Sequence, residues 1–471
     1  TLDGNKIQGE RASPVFSIKS TNNLYLNIRF RNFWQNFPKC LSINNRQLSA
    51  DIFPEQLPDN HELQPGEKKT HEFVFSVSND KDDLSYLEQP IEITLNPNWL
   101  QDTKALFSFD AGNQSSELQS IIDQGINGPN NFFVKRENID EYGWRNFGDI
   151  YADHETIEHK TDELFASHYN NQYDPLNGFL QQYLLTGHRQ WLELADDLAL
   201  HINDIDIYHT DEDKAEYNKG LFWHTDHYVP AQTASHRTYS KYQPKAVYQD
   251  HAGSGGPGGQ HCYTTGLAYH YLLTGCDASK QAVFDLTEWV GNFYEGDGTL
   301  AHYLLALKNS SDPGMKNVRT GQYPLDRGTG NYIIALLDSH LLSGEQNPLD
   351  NVGLIIKNTI SPDDDLIERN LNDVENSWFY TVFLQAIIRF LSTKEAARQI
   401  DSSYFYTRDA LLHYTDWMIE NETPYLDKPE ILEYPNSTWA AQDLRKSIIF
   451  KAAAKYSKHK ANDYLLKSAY F

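Results

Sequence analysis

Histidines and tyrosines that could carry acid–base chemistry are concentrated between residues 145 and 263. Eleven of the 18 histidines lie in this window, more than twice the number that uniform placement would give. Residues 223–239 and 250–263 are the richest in titratable groups. Imidazole and phenol groups can transfer protons near neutral pH when their surroundings tune them, so this window is the predicted location of a catalytic site.

These residue types suit the β-elimination of a uronic acid. In that reaction a base removes the proton next to the carboxylate, an acid protonates the leaving glycosidic oxygen, and a cation or donor offsets the carboxylate charge. Histidine or tyrosine can act as the base, tyrosine as the acid, and arginine as the carboxylate ligand. The predicted catalytic residues are His224, Tyr228, His236, Arg237 and His261.

Two assignments of the proton transfers stay open. In the first, a histidine of this set takes the proton, Tyr228 protonates the leaving oxygen and Arg237 holds the carboxylate. In the second, a tyrosine serves as both base and acid while a histidine neutralises the carboxylate. The predicted substrate-binding residues, which offer stacking rings or polar groups, are Trp144, Arg145, Asn171, Tyr173, Trp223, His227, Tyr239, His251 and Tyr263. Among these, Arg145 is the expected partner of a substrate carboxylate because its planar fork can bind both oxygens.

No cofactor is predicted from the sequence. His224 and His227 are spaced like metal ligands, with Asp226 nearby, but they lack the complete signature of a catalytic zinc site. A structural divalent metal is left open. The glycines at 253–259 do not follow the order of a phosphate-binding loop and have no lysine beside them, which argues against a nucleotide site.

The spacing of apolar residues, which predicts the strands and helices that carry these groups, changes along the chain. Residues 1–110 contain short stretches that alternate apolar and polar residues, for example 23–33, 70–77 and 91–95. Such stretches, separated by turn sequences, predict an antiparallel β-sandwich. Residues 111–145 are interpreted as a linker with one short helix, and from 146 to 471 the apolar period becomes helical.

The helical part repeats one unit, a helix that stops at a glycine and is followed by a returning helix. Residues 178–187 and 266–275 share six of ten residues, and residues 339–344 form a shorter copy. Each terminal glycine is expected to adopt the left-handed conformation that ends a helix. Later helix pairs are predicted at 378–391 with 406–419 and at 444–456 with 462–469.

Repeated helical hairpins must stack to bury their apolar faces. Long and irregular insertions between the hairpins favour a closed ring over an open solenoid. The predicted fold is therefore α+β and multidomain: an N-terminal β-sandwich (1–110), a linker (111–145) and an α/α toroid, an incomplete barrel of helical hairpins (146–471), as the catalytic domain.

Composition limits the classes of partner. The chain has 471 residues and a net charge of −25, which disfavours a nucleic-acid backbone or an anionic membrane surface as a partner. Its three cysteines, Cys40, Cys262 and Cys276, do not form a disulfide framework or a cysteine-rich zinc motif. The chain begins at Thr1 rather than Met, which predicts a processed protein, secreted or periplasmic, or a fragment.

Several segments between about residues 25 and 275 carry a family resemblance: residues 31–39, 62–67, 143–149, 171–174 and 223–228, with His236 and Arg237. Together they resemble the exo-rhamnogalacturonan lyase group of polysaccharide lyases. The resemblance implies a β-sandwich followed by an α/α toroid, and cleavage of a backbone that pairs rhamnose with a uronic acid. The family usually carries a further β domain before the sandwich, so exo or endo action is left open.

Two acidic polysaccharides fit that backbone, rhamnogalacturonan I from plant pectin and sulfated ulvan from green algae. The acidic composition mildly favours ulvan. Two other classes of function compete with a lyase. A glycoside hydrolase would need two facing carboxylates, and a non-catalytic carbohydrate-binding protein would bind the sugar without turnover. The candidate carboxylates are Asp149, Asp153, Glu155 and Asp226.

Overall fold

The computed structural model describes residues 9–44, 47–55, 63, 66–81, 84–87, 93–112, 116–150, 167–168, 171–213, 217–222, 225–226, 258–310 and 314–471. It shows an α+β chain with small antiparallel sheets near the N-terminus and helices through the remainder. This coarse division is the one that the sequence predicts.

Two antiparallel sheets are formed by the residues that the structure describes in the N-terminal region. Strands β1 (Val15–Lys19), β2 (Tyr25–Phe30) and β5 (Phe73–Ser78) form one sheet in the order β1-β2-β5, and β3 (Cys40–Asn44) pairs with β4 (Gln47–Asp51) in the other. The register places one apolar set on a single face of the larger sheet, since Phe16 pairs with Ile28 and Ile28 pairs with Phe75. The alternation of apolar and polar residues that predicted strands at 23–33 and 70–77 is therefore confirmed.

Two details of the predicted N-terminal half are wrong. Residues 93–95, the described part of the predicted strand 91–95, are not in a strand, because Asn96 caps the next helix, α1 (Pro97–Thr103), and the chain turns into it. The expected linker holds two helices rather than one, α2 (Ser116–Asn127) and α3 (Phe132–Asn138). The second begins where the Asn131 side chain accepts a hydrogen bond from the Val134 amide.

The structure describes five hairpins in the helical part, and the paired helices of each pack against each other. Their bounds are α4 (Pro175–Thr186) with α5 (Arg189–His201), α6 (Thr265–Thr274) with α7 (Asp277–Glu295), α9 (Arg327–Ser343) with α10 (Asn347–Lys357), α12 (Tyr380–Ala396) with α13 (Ser402–Asn421), and α14 (Thr438–Tyr456) with α15 (Ala461–Tyr470). Two further helices are α8 (Leu300–Lys308) and α11 (Val374–Ser377), and two short strands, β6 (Ser167–His168) and β7 (Thr225–Asp226), pair with each other.

The glycine stops are confirmed by the backbone. Gly187, Gly275 and Gly344 follow α4, α6 and α9 with φ values of 69°, 75° and 73°. In each case the glycine amide bonds to the carbonyl four residues earlier, as a left-handed helix end requires. The repeat seen in the sequence is thus a structural repeat.

Two helices form the centre of the packed helical part. Helices α9 and α12 pack along each other and are buried over most of their length. A helix that is buried on nearly every side belongs to the core of a domain. A charged pair lies between them, since Arg389 of α12 donates to Asp338 of α9, and both side chains are buried.

The starts of four hairpins meet at one end of this packing. Residues just before α4, α6 and α12 contact the first residue of α9, Arg327. Helices α4, α6, α9 and α12 therefore begin at a common end, and their partner helices return from the other. No helix in the described part of the chain has the length and apolar content needed to cross a bilayer.

Candidate functional site

A cluster of polar side chains lies where the four hairpins begin. Arg327, the first residue of α9, is the central member. Its Nη1 donates to the Tyr173 hydroxyl at 3.3 Å, and its Nη2 lies 3.1 Å from His261 Nε2. Because a guanidinium only donates hydrogen bonds, Nε2 is the acceptor and His261 is neutral in this arrangement. We call Tyr173, His261, Tyr263, Arg327 and Arg445 the arginine cluster.

Tyr263 and Arg445 complete the cluster. The Tyr263 ring lies 6.2 Å from the Tyr173 ring between centroids, and its hydroxyl is buried. Burial raises the pKa of Tyr263, and the positive charges of Arg327 and Arg445 only partly oppose the rise, so this phenol stays protonated. Burial also lowers the pKa of the Arg445 guanidinium, and the like charge of Arg327 adds to that effect. Arg445 is held by side-chain oxygens from glutamines, with Nη1 donating to Gln385 at 2.5 Å.

The segment before α4 carries backbone strain at this site. Asn171, Tyr173 and Asp174 have φ values of 63°, 66° and 59°. Residues with a side chain rarely adopt this left-handed conformation, which costs about 1–2 kcal/mol for each. Such residues cluster at functional sites, where surrounding contacts fix them. The strain turns the Tyr173 side chain, 37% exposed, toward the guanidinium of Arg327.

Asp174 holds the strained segment against the next hairpin. Its carboxylate accepts from the Asn177 amide at 3.3 Å and from the Gly266 amide at 3.1 Å. Helix α6 approaches so closely that a Cβ on Gly266 would lie 2.5 Å from the Asp174 carboxylate. The absence of a side chain at Gly266 is therefore what allows the starts of α4 and α6 to meet.

The burial of Asp174 predicts a specific dependence of stability on pH. Burial raises the pKa of this carboxyl to about 7, although two backbone amides oppose the rise. An unfolded aspartate titrates near about 3.9. Between those values the folded state binds more protons than the unfolded state, so the contribution of Asp174 to stability falls as pH rises from about 4 to about 7.

We expect the variant Asp174→Asn to lose this dependence. Its free energy of unfolding relative to the wild type should increase by up to about 1.4 kcal/mol per pH unit across that interval. Denaturant unfolding of both proteins at several pH values measures the difference. A constant difference from pH 4 to 7 would mean that Asp174 is ionised throughout.

Within the described part of the chain, the two arginines of the arginine cluster differ from other buried arginines in forming no ion pair. Three other buried arginines each pair with a carboxylate: Arg136 with Asp197, Arg145 with Glu67, and Arg389 with Asp338. Among the residues that the structure describes, neither Arg327 nor Arg445 forms such an ion pair. A positive site in a chain of net charge −25 is therefore suited to an anionic ligand.

The structure brings together three of the predicted site residues, since Tyr173, His261 and Tyr263 lie in the arginine cluster. Asn171 lies on the same segment as Tyr173, and its side chain accepts from the Leu176 amide at 3.3 Å at the start of α4. Trp144 is 7% exposed and packs edge-on against Phe53, at 5.4 Å between ring centroids. Arg145 is 4% exposed, stacks on Trp144 and pairs with Glu67 at 3.2 Å, an arrangement that favours a structural role for both residues. The predicted residues that lie outside the described part of the chain are Trp223, His224, His227, Tyr228, His236, Arg237, Tyr239 and His251.

Sequence reasoning missed Arg327 and Arg445, along with the aromatic wall beside Arg327. The guanidinium carbon of Arg327 lies 5.2 Å from the Phe379 ring centroid and 5.9 Å from that of Trp378. The sequence repeat could have indicated Arg327. Tyr173 and His261 lie just before the repeat helices α4 and α6, and Arg327 is at the equivalent place, the first residue of the repeat helix α9. No comparable signal marks Arg445, which lies inside α14.

A second group of titratable residues could hold a metal. Asp149, His201 and Asp206 are each no more than 3% exposed, and their ligand atoms lie within 4.8 Å of one another. His201 Nε2 is 3.2 Å from Asp206 Oδ1 and 3.5 Å from Asp149 Oδ2. Burial lowers the pKa of His201, but the carboxylates of Asp206 and Asp149 outweigh burial and raise it to about 10. Without a cation, this site therefore holds an imidazolium.

The chain was compared with known protein families and with curated proteins. Neither the family models nor the curated proteins gave a match to the chain.

Proposed function

We propose that this protein is a polysaccharide lyase that cleaves an acidic polysaccharide of rhamnose and uronic acid, rhamnogalacturonan I or ulvan, by β-elimination. The observation that carries the proposal is the pair of arginines, Arg327 and Arg445, which have no carboxylate partner among the described residues and lie beside two tyrosines and a histidine. The proposed architecture is a β-sandwich followed by an α/α toroid, with the cluster at the end where four hairpins begin.

The carboxylate of the uronic acid is the proposed ligand of the guanidiniums. Binding there withdraws charge from the carboxylate, so the proton on the adjacent carbon becomes easier to remove. Arg327 can offer a planar fork to both carboxylate oxygens, and the rings of Trp378 and Phe379 lie within about 6 Å of its guanidinium carbon, where they interact favourably with its charge. Burial around these groups strengthens their electrostatic effect.

Tyr173 is the proposed proton-transfer group. Its hydroxyl oxygen accepts from Arg327 Nη1, so a phenolate formed at this position lies against that cation. In the elimination, the Tyr173 phenolate takes the proton next to the carboxylate and becomes a phenol, the electrons of the broken carbon–hydrogen bond form a carbon–carbon double bond, and the bond to the glycosidic oxygen breaks. The leaving oxygen takes a proton from Tyr173 or from protonated Tyr263.

His261 accepts a hydrogen bond from Arg327 and is proposed to hold that guanidinium in place. This favours, for His261, the assignment in which tyrosine transfers the protons and histidine assists at the carboxylate. The predicted roles of His224, Tyr228, His236 and Arg237 stay predictions, because these residues lie outside the described part of the chain.

A glycoside hydrolase is less well supported by the same cluster. Hydrolysis needs two carboxyl groups that face each other across the scissile bond. Two carboxylates next to cluster members in the chain, Asp174 and Asp326, cap α4 and α9 through hydrogen bonds to backbone amides. Asp149, one of the carboxylates predicted for a hydrolase, is buried beside His201 and lies outside the arginine cluster.

Incubation of the protein with rhamnogalacturonan I or ulvan tests the proposal. A lyase produces an unsaturated uronate, seen as rising absorbance at roughly 235 nm, whereas a hydrolase releases reducing sugar without that absorbance. Binding without either product would identify a carbohydrate-binding protein. Saturated products or no products would overturn the lyase proposal.

The variant Arg327→Lys tests the carboxylate site. Lysine keeps the charge but loses the planar fork, so at least one charge-assisted hydrogen bond to the carboxylate is lost. Such a bond is worth about 1.5–3 kcal/mol, and we expect KM to rise about 10- to 100-fold. Arg319→Lys, a change at an exposed arginine, serves as the matched control. An unchanged KM in Arg327→Lys would place the carboxylate elsewhere.

A further inference from the structure

The group Asp149, His201 and Asp206 lies apart from the proton-transfer chemistry proposed above and joins two parts of the chain. Asp149 ends the segment 143–149, whereas His201 ends α5 and Asp206 follows it. We infer that these three residues bind one divalent cation, best matched by zinc, in a buried structural site. This inference does not depend on the proposed lyase activity.

An unusual helical turn brings two of the three ligands together. The turn Ile202–Asp206 is a π-helix, in which the Ile207 amide bonds to the Ile202 carbonyl five residues earlier at 3.2 Å. In an α-helix, residues five apart point in different directions. The wider π turn places His201 and Asp206 on the same side. Such turns are rare in proteins, and those that occur are often at functional sites.

A glycine lets the third ligand approach. Gly148 has φ of 107°, and a Cβ there would lie 2.3 Å from the Asp197 carbonyl oxygen and 2.9 Å from the His201 Cβ. Only a residue without a side chain fits this contact. The backbone of residues 147–149 therefore lies directly against α5, with the Asp149 carboxylate beside His201.

The same contact sets the orientation of the imidazole. His201 Nδ1 lies 3.3 Å from the Phe147 carbonyl oxygen, which can only accept, so Nδ1 carries the proton in that bond. Nε2 then faces the two carboxylates. A backbone carbonyl that fixes one ring nitrogen while the other faces the ligand is the usual support for a metal-binding histidine.

The spacing and chemistry of the donors favour zinc. Donor atoms at about 2.0–2.1 Å in a tetrahedral zinc site lie about 3.3 Å from one another, and the carboxylate oxygens of Asp206 and Asp149 lie 3.2 and 3.5 Å from His201 Nε2. One imidazole nitrogen with two carboxylates suits zinc better than calcium or magnesium, which prefer all-oxygen sets. A divalent cation would also neutralise two carboxylates that are removed from water.

Metal content and thermal unfolding of the full chain test the inference. We expect the purified protein, loaded with ZnSO₄ and then desalted, to retain about one zinc per chain. Removal of zinc with a chelator should lower the midpoint of thermal unfolding by about 2 °C or more, and added Zn²⁺ should restore it. Cobalt(II) in place of zinc should give the visible absorption of a tetrahedral site.

Variants separate this site from other zinc binding. His201→Gln and Asp206→Asn should lose the retained zinc, whereas His459→Gln, at an exposed histidine, should keep it. Zinc retained in the first two variants, or a wild-type protein that holds no zinc and whose unfolding is unaffected by chelator and Zn²⁺, would overturn the inference. The group would then be an imidazolium held between two carboxylates. If the variants do not fold, the wild-type measurements decide the question.

Discussion

Replacement of Tyr173 by phenylalanine is expected to lower kcat for elimination about 10²- to 10⁴-fold, the usual contribution of a positioned acid–base group. The change removes only the hydroxyl that accepts from Arg327, and the ring is 37% exposed, so the fold should be unaffected. Substrate binding depends mainly on the guanidiniums, so KM should change little. Initial rates of absorbance increase at roughly 235 nm, over a range of pH, measure the effect.

Tyr303→Phe is the matched control for that experiment. Tyr303 is a half-exposed tyrosine on α8, outside the arginine cluster. Its loss should leave the rate within about twofold of the wild type, as expected for a surface change away from the site. If Tyr173→Phe also keeps near-wild-type turnover in a protein that does carry out elimination, the proton-transfer group lies elsewhere, with residues 223–239 as the next candidates.

The second large effect concerns stability. We expect Arg389→Met to lower the free energy of unfolding by about 3–5 kcal/mol, because it leaves the buried Asp338 carboxylate without its cation. Asp338 is fully buried and also accepts from the Thr264 and Thr265 hydroxyls at 2.7 and 2.9 Å. Those neutral donors replace only part of the lost interaction. Denaturant unfolding followed by circular dichroism measures the loss.

A double variant shows whether the charge is responsible. Asn at position 338 is uncharged, so Arg389→Met combined with Asp338→Asn should be clearly more stable than Arg389→Met alone. Equal stability of the two variants would mean that the loss comes from packing around the Arg389 side chain and not from an unpaired carboxylate. Methionine has a side-chain volume close to that of arginine, so the change in packing is small.

Local patterns along the chain predicted much of the fold. The glycine stops at 187, 275 and 344 and the helices around them are where the repeat places them. The strand register follows the alternation of residues in β2 and β5. These features depend on the backbone period and on neighbouring residues, so a single segment contains the information for each of them.

The alternation of apolar and polar residues gave the wrong secondary structure where a helix-capping residue follows it. Leu95 ends a stretch that alternates like a strand, but Asn96 and Pro97 start α1 directly after it. The helix α3 in the expected linker likewise depends on the cap at Asn131. A side chain that satisfies the first amides of a helix can therefore outweigh a weak apolar pattern.

The sequence by itself determined the hairpins, and its predicted site residues include three members of the arginine cluster, Tyr173, His261 and Tyr263. Only the tertiary structure decided which arginine faces them, because Arg327 is 66 residues from His261 and 154 from Tyr173. It also decided that Arg145 is paired, since its carboxylate partner Glu67 is 78 residues away. An arginine has the same appearance in a sequence whether it is paired or not. Its availability for a ligand depends on distant carboxylates, and the packing of separate hairpins brings them near or keeps them away.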